Sequence, residues 1–164
     1  MPPKVDPNEV RLINIKVFGG EGGPASTLAP KLGPLGLNPK QVGDKIIAES
    51  GKWKGIRVMV NLRCQNRNAD VTVIPTSSAL LIKEIGGYER DRKKTKNVKH
   101  NGNLTLEQVI KVARAVEEKS LAKTFTGTVK QVLGTAQSLG ATVDGQPVKA
   151  IIGKINSGEL KVEK

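Results

Sequence analysis

The chain has 164 residues, carries 27 Lys and Arg against 15 Asp and Glu for a formal net charge of +12, and is only 2% aromatic. A chain of this length forms one ordinary domain or two small ones, and so basic a chain implies an anionic partner, nucleic acid first and an anionic membrane surface second. The scarcity of aromatics argues against single-strand recognition by base stacking and favours a folded or double-stranded nucleic acid read through phosphates, sugars and shape.

One cysteine, Cys64, rules out an intrachain disulfide, and one histidine, His100, argues against a metal cluster or a Cys/His nucleophile pair. Cys64 reads as a small buried hydrophobe. The opening MPPKVDPNEV has no apolar core and is not a signal peptide, and no apolar run approaches membrane-spanning length. The expectation is a soluble, intracellular chain with no membrane partner.

In chain order, residues 11–18 read as a strand with Ile13, Ile15 and Val17 on one face. A Gly- and Pro-rich stretch follows, in which Pro24, Pro30, Pro34 and Pro39 forbid a long helix. Asn38 is an N-cap candidate with Pro39 at the first helical position and Gln41 placed to close a capping box. That helix runs through Val42, Ile46 and Ile47 to about Ser50 and ends at Gly51. Residues 56–63 alternate, with Ile56, Val58, Val60 and Leu62 on one side, and with VTVI at 71–74 they predict an antiparallel hairpin. Ser77 or Ser78 is expected to cap a short apolar helix from Ala79 to Ile85.

The composition then shifts to a run dominated by Lys and Arg and without apolar periodicity, which reads as a linker or binding arm. Thr105 and Gln108 form a capping-box pair, with Leu104 and Val109 as a hydrophobic staple. Leu106, Val109, Ile110, Ala113 and Val116 line one face of the helix that follows. Another helix is predicted from Thr124 to Gly140, and a last one starts at Pro147 with Val148, Ile151, Ile152 and Ile155 as its stripe. The fold class expected is α+β in two small domains: residues 1–86 with a three-stranded sheet and helices, a basic hinge at 87–102, and an all-helical domain at 103–164.

The helix from Thr124 to Gly140 poses a question of its own. Gly127 and Gly134 lie in its interior, where each costs about 1 kcal/mol relative to Ala. On a helical wheel Phe125, Val129, Val132, Leu133, Ala136 and Leu139 face one way, while Gly127, Lys130, Gln131, Gly134, Thr135 and Ser138 face the other. No acidic residue occurs between Glu118 and Asp144. Such a face suits close approach by an anionic surface; it equally suits helix-on-helix packing.

Three further stretches need weighing. Gly20-x-Gly22-x-x-Ala25 follows a strand and fits the dinucleotide fingerprint, with Asp44 at a suitable distance. That reading needs a helix starting within the glycines and a parallel second strand, neither of which is predicted. LAPKLGPLGLNP reads as a covered loop, as a semi-rigid apolar docking surface, or as both. Arg90, Arg92, Lys93, Lys94, Lys96 and Lys99 crowd together, and beside an acid-free helix face they point to phosphate contact. No carboxylate pair, Ser/His/Asp set or metal cluster stands out, so no enzyme, cofactor or metal is expected.

PPKVDPNEV, LAPKLGPLGLNPKQVGDKI, QNR with a later VIP, RDRKKTKNVKHNGN and LGTAQSLG, in this order and over nearly the whole chain, resemble the eukaryotic form of the large-subunit ribosomal protein family L-eleven, called L-twelve in eukaryotic naming. The resemblance implies a structural constituent of the large ribosomal subunit at the stalk base. Its helical C-terminal domain would bind the GTPase-associated centre of large-subunit rRNA. Its N-terminal domain would help form the landing site for translational GTPases, next to the stalk anchoring protein, with no small-molecule substrate. Carried over, Gly134, Thr135, Ala136 and Ser138 belong to the RNA-facing helix, Lys93, Lys94, Lys96 and Lys99 to a loop ordered on RNA, and Pro30 and Pro34 to a cleft facing RNA and factors. Gly127 and Lys130 join the rRNA-binding set from the outer face of the wheel. Pro2 and Lys4 are methylation candidates, and Gly86-Gly87, where related chains carry two prolines, implies a softer hinge. The expected location is the cytoplasmic ribosome, with passage through the nucleus and nucleolus during assembly.

Overall fold

The computed structural model describes residues 9–21, 23, 25–86, 90 and 98–162, with the side chain of Ala25 left out. The chain divides into two compact units, Met1–Pro75 and Thr76–Lys164.

The first unit holds β1 (Arg11–Phe18), α1 (Ala25–Leu32), α2 (Pro39–Ser50), β2 (Arg57–Gln65) and β3 (Asn68–Ile74), with short 3-10 turns at Gly33–Leu35 and Gly51–Trp53. The sheet order is β1-β2-β3, antiparallel throughout, with Arg11 opposite Cys64 and Gln65 opposite Asn68. Asn66 and Arg67, with φ of 50° and 60°, supply the left-handed pair that a two-residue hairpin turn demands. The predicted alternation holds: Ile15, Val17, Ile56, Val58, Val60 and Leu62 are buried, as are Leu28 and Leu32 of α1 and Val42 and Ile46 of α2. Ile47, next to buried Ile46, is exposed. Asn38 caps α2 through its side chain, which accepts from the Lys40 N–H at 3.0 Å.

The Pro-rich stretch differs from expectation in one respect. It contains an eight-residue helix, α1, with Pro30 inside it. Pro30 lacks only the one N–H that would reach the Ser26 carbonyl, a tolerable loss in so short a helix.

The second unit holds α3 (Ser77–Ile85), β4 (Asn103–Leu104), α4 (Leu106–Val116), α5 (Phe125–Leu139), β5 (Thr142–Val143) and α6 (Val148–Ser157), with a 3-10 turn at Glu117–Lys119. Its core gathers Leu81, Leu104, Val109, Val112, Ala113, Val129, Val132, Leu133, Ala136, Val143, Val148 and Ile151. The Thr105–Gln108 capping box forms as the spacing predicts. This unit is not purely helical: β4 and β5 pair in parallel, Asn103 with Thr142 and Leu104 with Val143.

The sequence assigns the helix at 77–85 to the first domain; the structure places it in the second. Leu81 is fully buried in the core of the second unit, Leu80 and Ile85 pack against that core, and Lys111 Nζ meets Glu84 Oε1 at 2.8 Å. Its cap is Thr76, whose Oγ1 accepts from the Ala79 N–H at 3.3 Å, rather than Ser77 or Ser78. The division therefore falls at Pro75, not at residue 86. Of the expected hinge, residues 87–89 and 91–97 lie outside the described residues, while His100 N–H donates to the Leu139 carbonyl at 2.9 Å and Thr142 N–H to the Gly102 carbonyl at 2.8 Å.

Candidate nucleic-acid interface

Thr124 starts α5 in extended backbone, its Oγ1 accepting from the Gly127 N–H at 3.3 Å. Gly140 ends it with φ of 88°, its N–H donating to the Ala136 and Gln137 carbonyls. Val129, Val132, Leu133 and Ala136 are fully buried, which fixes the rotation of the helix and decides what it presents outward. Thr128, absent from the inward set of the wheel, is also buried. Its hydroxyl donates to Ser120 Oγ at 3.0 Å, and Ser120 Oγ meets Gln131 Oε1 at 3.0 Å, tying the 120–124 segment onto the helix. The nearby inward positions on the wheel were the signal for it.

The two interior glycines have different causes. A Cβ on Gly127 would lie 3.0 Å from Ala122 Cβ and 3.6 Å from Thr124 Oγ1, so Gly127 makes room for the chain's own 120–124 segment. A Cβ on Gly134 would meet nothing within 4 Å, and the residue is exposed. Packing among the described residues therefore accounts for Gly127 and leaves Gly134 as bare, exposed backbone.

Around Gly134 lie exposed Gln131, Gln137 and Ser138 and half-buried Lys130 and Thr135. Thr135 Oγ1 donates to the Gln131 carbonyl at 3.2 Å and Ser138 Oγ to the Thr135 carbonyl at 2.7 Å. Both hydroxyl protons are thus spent on the helix itself, and what these oxygens have left to offer is acceptor capacity. Ala136 does not belong on this face: at 0% exposure it is a core residue, because its position on the wheel is on the Val132–Leu133 side.

Lys99 is exposed and lies at the C-terminal end of α5, where a Cβ on Gly140 would come 3.5 Å from Lys99 Cβ. Lys93, Lys94 and Lys96, like Pro2 and Lys4, lie outside the described residues. In the first unit Pro30 and Pro34 are both exposed, on α1 and on the turn after it.

The phosphate-loop reading of Gly20–Ala25 fails on geometry. A helix does follow the glycines, but among the described residues β1 pairs only with β2, and antiparallel, so they form no βαβ unit. The Gly20 N–H, which a phosphate would need, is donated to Ser50 Oγ at 3.1 Å, and that hydroxyl in turn donates to the Ile46 carbonyl at 2.6 Å. Cys64 is buried, and burial pushes its thiol pKa up, away from nucleophile or ligand behaviour. Among the described residues no group of His, Cys, Asp and Glu could hold a metal ion, and no helix is long and apolar enough to cross a membrane.

Family comparison agrees with the two units. Residues 13–69 match the family described as ribosomal protein L11, N-terminal domain, and residues 73–143 match ribosomal protein L11, RNA binding domain. The second match covers α3, α4, α5 and the segment between them, with its start close to the division at Pro75. The large ribosomal subunit protein uL11x of Arabidopsis thaliana is 52% identical over 163 residues, 99% of this chain and 98% of the relative. Large ribosomal subunit protein uL11A of Schizosaccharomyces pombe is 53% identical, and uL11 of Caenorhabditis elegans 49%, each over 99% of this chain and 98% of the relative. These relatives are ribosomal proteins rather than enzymes. Similarity of this extent, spanning both units and including the helix that bears the open glycine, shows that the chain belongs to the ribosomal protein L11 family.

Proposed function

We propose that this protein is a structural constituent of the large ribosomal subunit that binds the GTPase-associated centre of large-subunit rRNA at the stalk base, with the outer face of α5 as the contact. The observation that carries the reading is Gly134: exposed backbone in a helix interior, where an added Cβ would meet none of the described residues, on a face without acidic residues. It lies within the stretch that matches the family's RNA-binding domain.

The chemistry divides the work on that face. Thr135 and Ser138, with their protons held by helix carbonyls, suit ribose 2′-OH donors, which only RNA presents. Gly134 lets the helix backbone come close to the ribose surface. Lys130 and Lys99, joined by Lys93, Lys94 and Lys96 of the basic run, supply the phosphate contacts that set affinity without reading sequence. Gly127 and Ala136 drop out of the contact set, the first as a packing glycine and the second as core. In the first unit the exposed Pro30 and Pro34 form the face offered to RNA and to translational GTPases, beside the stalk anchoring protein. The protein acts in the cytoplasmic ribosome after passing through the nucleus and nucleolus for assembly. Its methylation candidates remain Pro2 and Lys4.

The test is binding of the full chain to the folded GTPase-associated RNA and to a mutant RNA that cannot fold, across a salt series. Tight binding to the folded form alone is expected, and Gly134→Glu should lower it at least a hundredfold, roughly 3 kcal/mol, by bulk and charge together. Equal binding to both RNAs would reduce the site to a generic basic patch. Wild-type affinity in Gly134→Glu would remove α5 from the interface.

A further inference from the structure

Two peptide links in the second unit place a side-chain carbonyl next to a glycine nitrogen: Asn101-Gly102 and Asp144-Gly145. At such links the glycine nitrogen can attack the side-chain carbonyl carbon, unhindered by a Cβ on the following residue. From Asn the step forms a five-membered succinimide and expels the side-chain nitrogen as ammonia. Water then opens the ring at either carbonyl and leaves aspartate or isoaspartate, with no change of oxidation state.

The structure treats the two links differently. The Gly145 N–H is donated to Asn103 Oδ1 at 2.8 Å and the Asp144 N–H to the Leu104 carbonyl at 2.8 Å. Both residues are locked at positive φ, 49° and 70°, in a turn closed by reciprocal bonds between Val143 and Gln146 at 3.0 and 2.9 Å. At Asn101-Gly102 neither the Asn101 side chain nor the Gly102 N–H has a hydrogen-bond partner among the described residues, and Asn101 is exposed. The glycine cannot readily be exchanged for a protective residue, because a Cβ at Gly102 would sit 2.4 Å from Ile85 Cγ2. Asn101 is also the one asparagine in the chain followed by glycine.

We infer that Asn101 is a site of spontaneous deamidation, converting to aspartate and isoaspartate in the free protein with water as the only co-reactant. The consequence rests on the RNA-binding reading above. Asn101 Oδ1 lies 3.0 Å from where a Cβ on Gly140 would be, at the C-terminal end of α5 and two residues from Lys99. A carboxylate there faces the negative end of the helix dipole and offsets a lysine of the candidate interface. Affinity for the folded RNA should fall roughly threefold to tenfold at low salt, and less at high salt.

The purified full chain would be held at mildly alkaline pH, sampled over time, digested, and mapped by mass spectrometry with isoaspartate detection. Conversion at Asn101 should outpace that at Asn66, Asn103 and Asn156, with Asp144 slow to isomerise. Equal rates at these asparagines, or Asp144 reacting first, would overturn the site. Asn101→Gln should abolish the conversion and keep RNA affinity, while Asn101→Asp should reproduce the loss. An Asn101→Asp chain that binds as wild type does would overturn the consequence. If the wild-type chain itself ignores the folded RNA, the binding reading fails and the consequence with it, whereas the mass map decides the site independently.

Discussion

Gly134→Ala makes the two demands on α5 pull in opposite directions. A Cβ at this position meets nothing within 4 Å, so the substitution brings no clash. Replacing glycine by alanine in a helix interior then adds about 1 kcal/mol through propensity and a less flexible unfolded chain. For a unit spanning Thr76–Lys164, that gain corresponds to a rise in Tm of roughly 4–8 °C. The same methyl group intrudes wherever a partner approaches the bare backbone. Overfilling a tight contact costs about 1–3 kcal/mol, or about fivefold to more than a hundredfold in affinity. Calorimetry and amide exchange of α5 on the full chain would measure the first quantity, and a titration with the folded RNA the second. The expected result is a more stable protein that binds RNA more weakly. Gly127→Ala serves as the contrast: its Cβ would press on Ala122 at 3.0 Å, so the propensity gain is offset, and RNA affinity should stay the same. If Gly134→Ala gained stability and kept wild-type affinity, no partner would need bare backbone there, and the argument for α5 as the interface would collapse.

Three further predictions concern the lysines, the α5 core and Cys64. Lys99→Ala and Lys94→Ala should each weaken RNA binding modestly and lower the magnitude of the log–log salt slope by about 0.7–0.9 per lost phosphate contact; an unchanged slope would mean that the lysine is merely solvated. Ala136→Leu should destabilise the second unit by about 1–3 kcal/mol, because the site is fully enclosed; denaturant titration giving no loss would show that the core there has space. Cys64 should react slowly with a maleimide in the native state and readily after denaturation. Because burial raises its pKa in the folded state, its contribution to stability is full below the unfolded value and is lost as pH rises through the folded one. A native thiol that labels as fast as a free one would contradict its burial.

Much of the local structure was legible because it rests on short-range rules. The alternation of 56–63, the Thr105–Gln108 box, the Asn38-Pro39 start of α2 and the stripe of α5 each follow from patterns a few residues long. The composition alone pointed to an anionic partner, nucleic acid ahead of a membrane surface, since the chain carries a charge of +12. Some short-range signals were nevertheless missed. Asp144-Gly145 turns tightly at positive φ and lets β5 pair with β4, although Asp-Gly is a known turn signal.

Only the tertiary structure decided which domain owns α3. Its apolar stripe could have covered the sheet, but Pro75 ends β3 and Leu81 is buried among α4 and α5 residues. It likewise separated two glycines that look alike on a helical wheel. Gly127 gives space to Ala122, from the segment that leads into the helix, and Gly134 gives space to none of the described residues. Helical periodicity states which way a residue faces, while only the packed chain shows whether anything stands there. For Ala136 the helical wheel faces the core while the resemblance assigns it to the RNA, and the closed core agrees with the wheel. What a sequence determines by itself is the set of faces; which of them remain uncovered is settled by contacts between residues far apart along the chain.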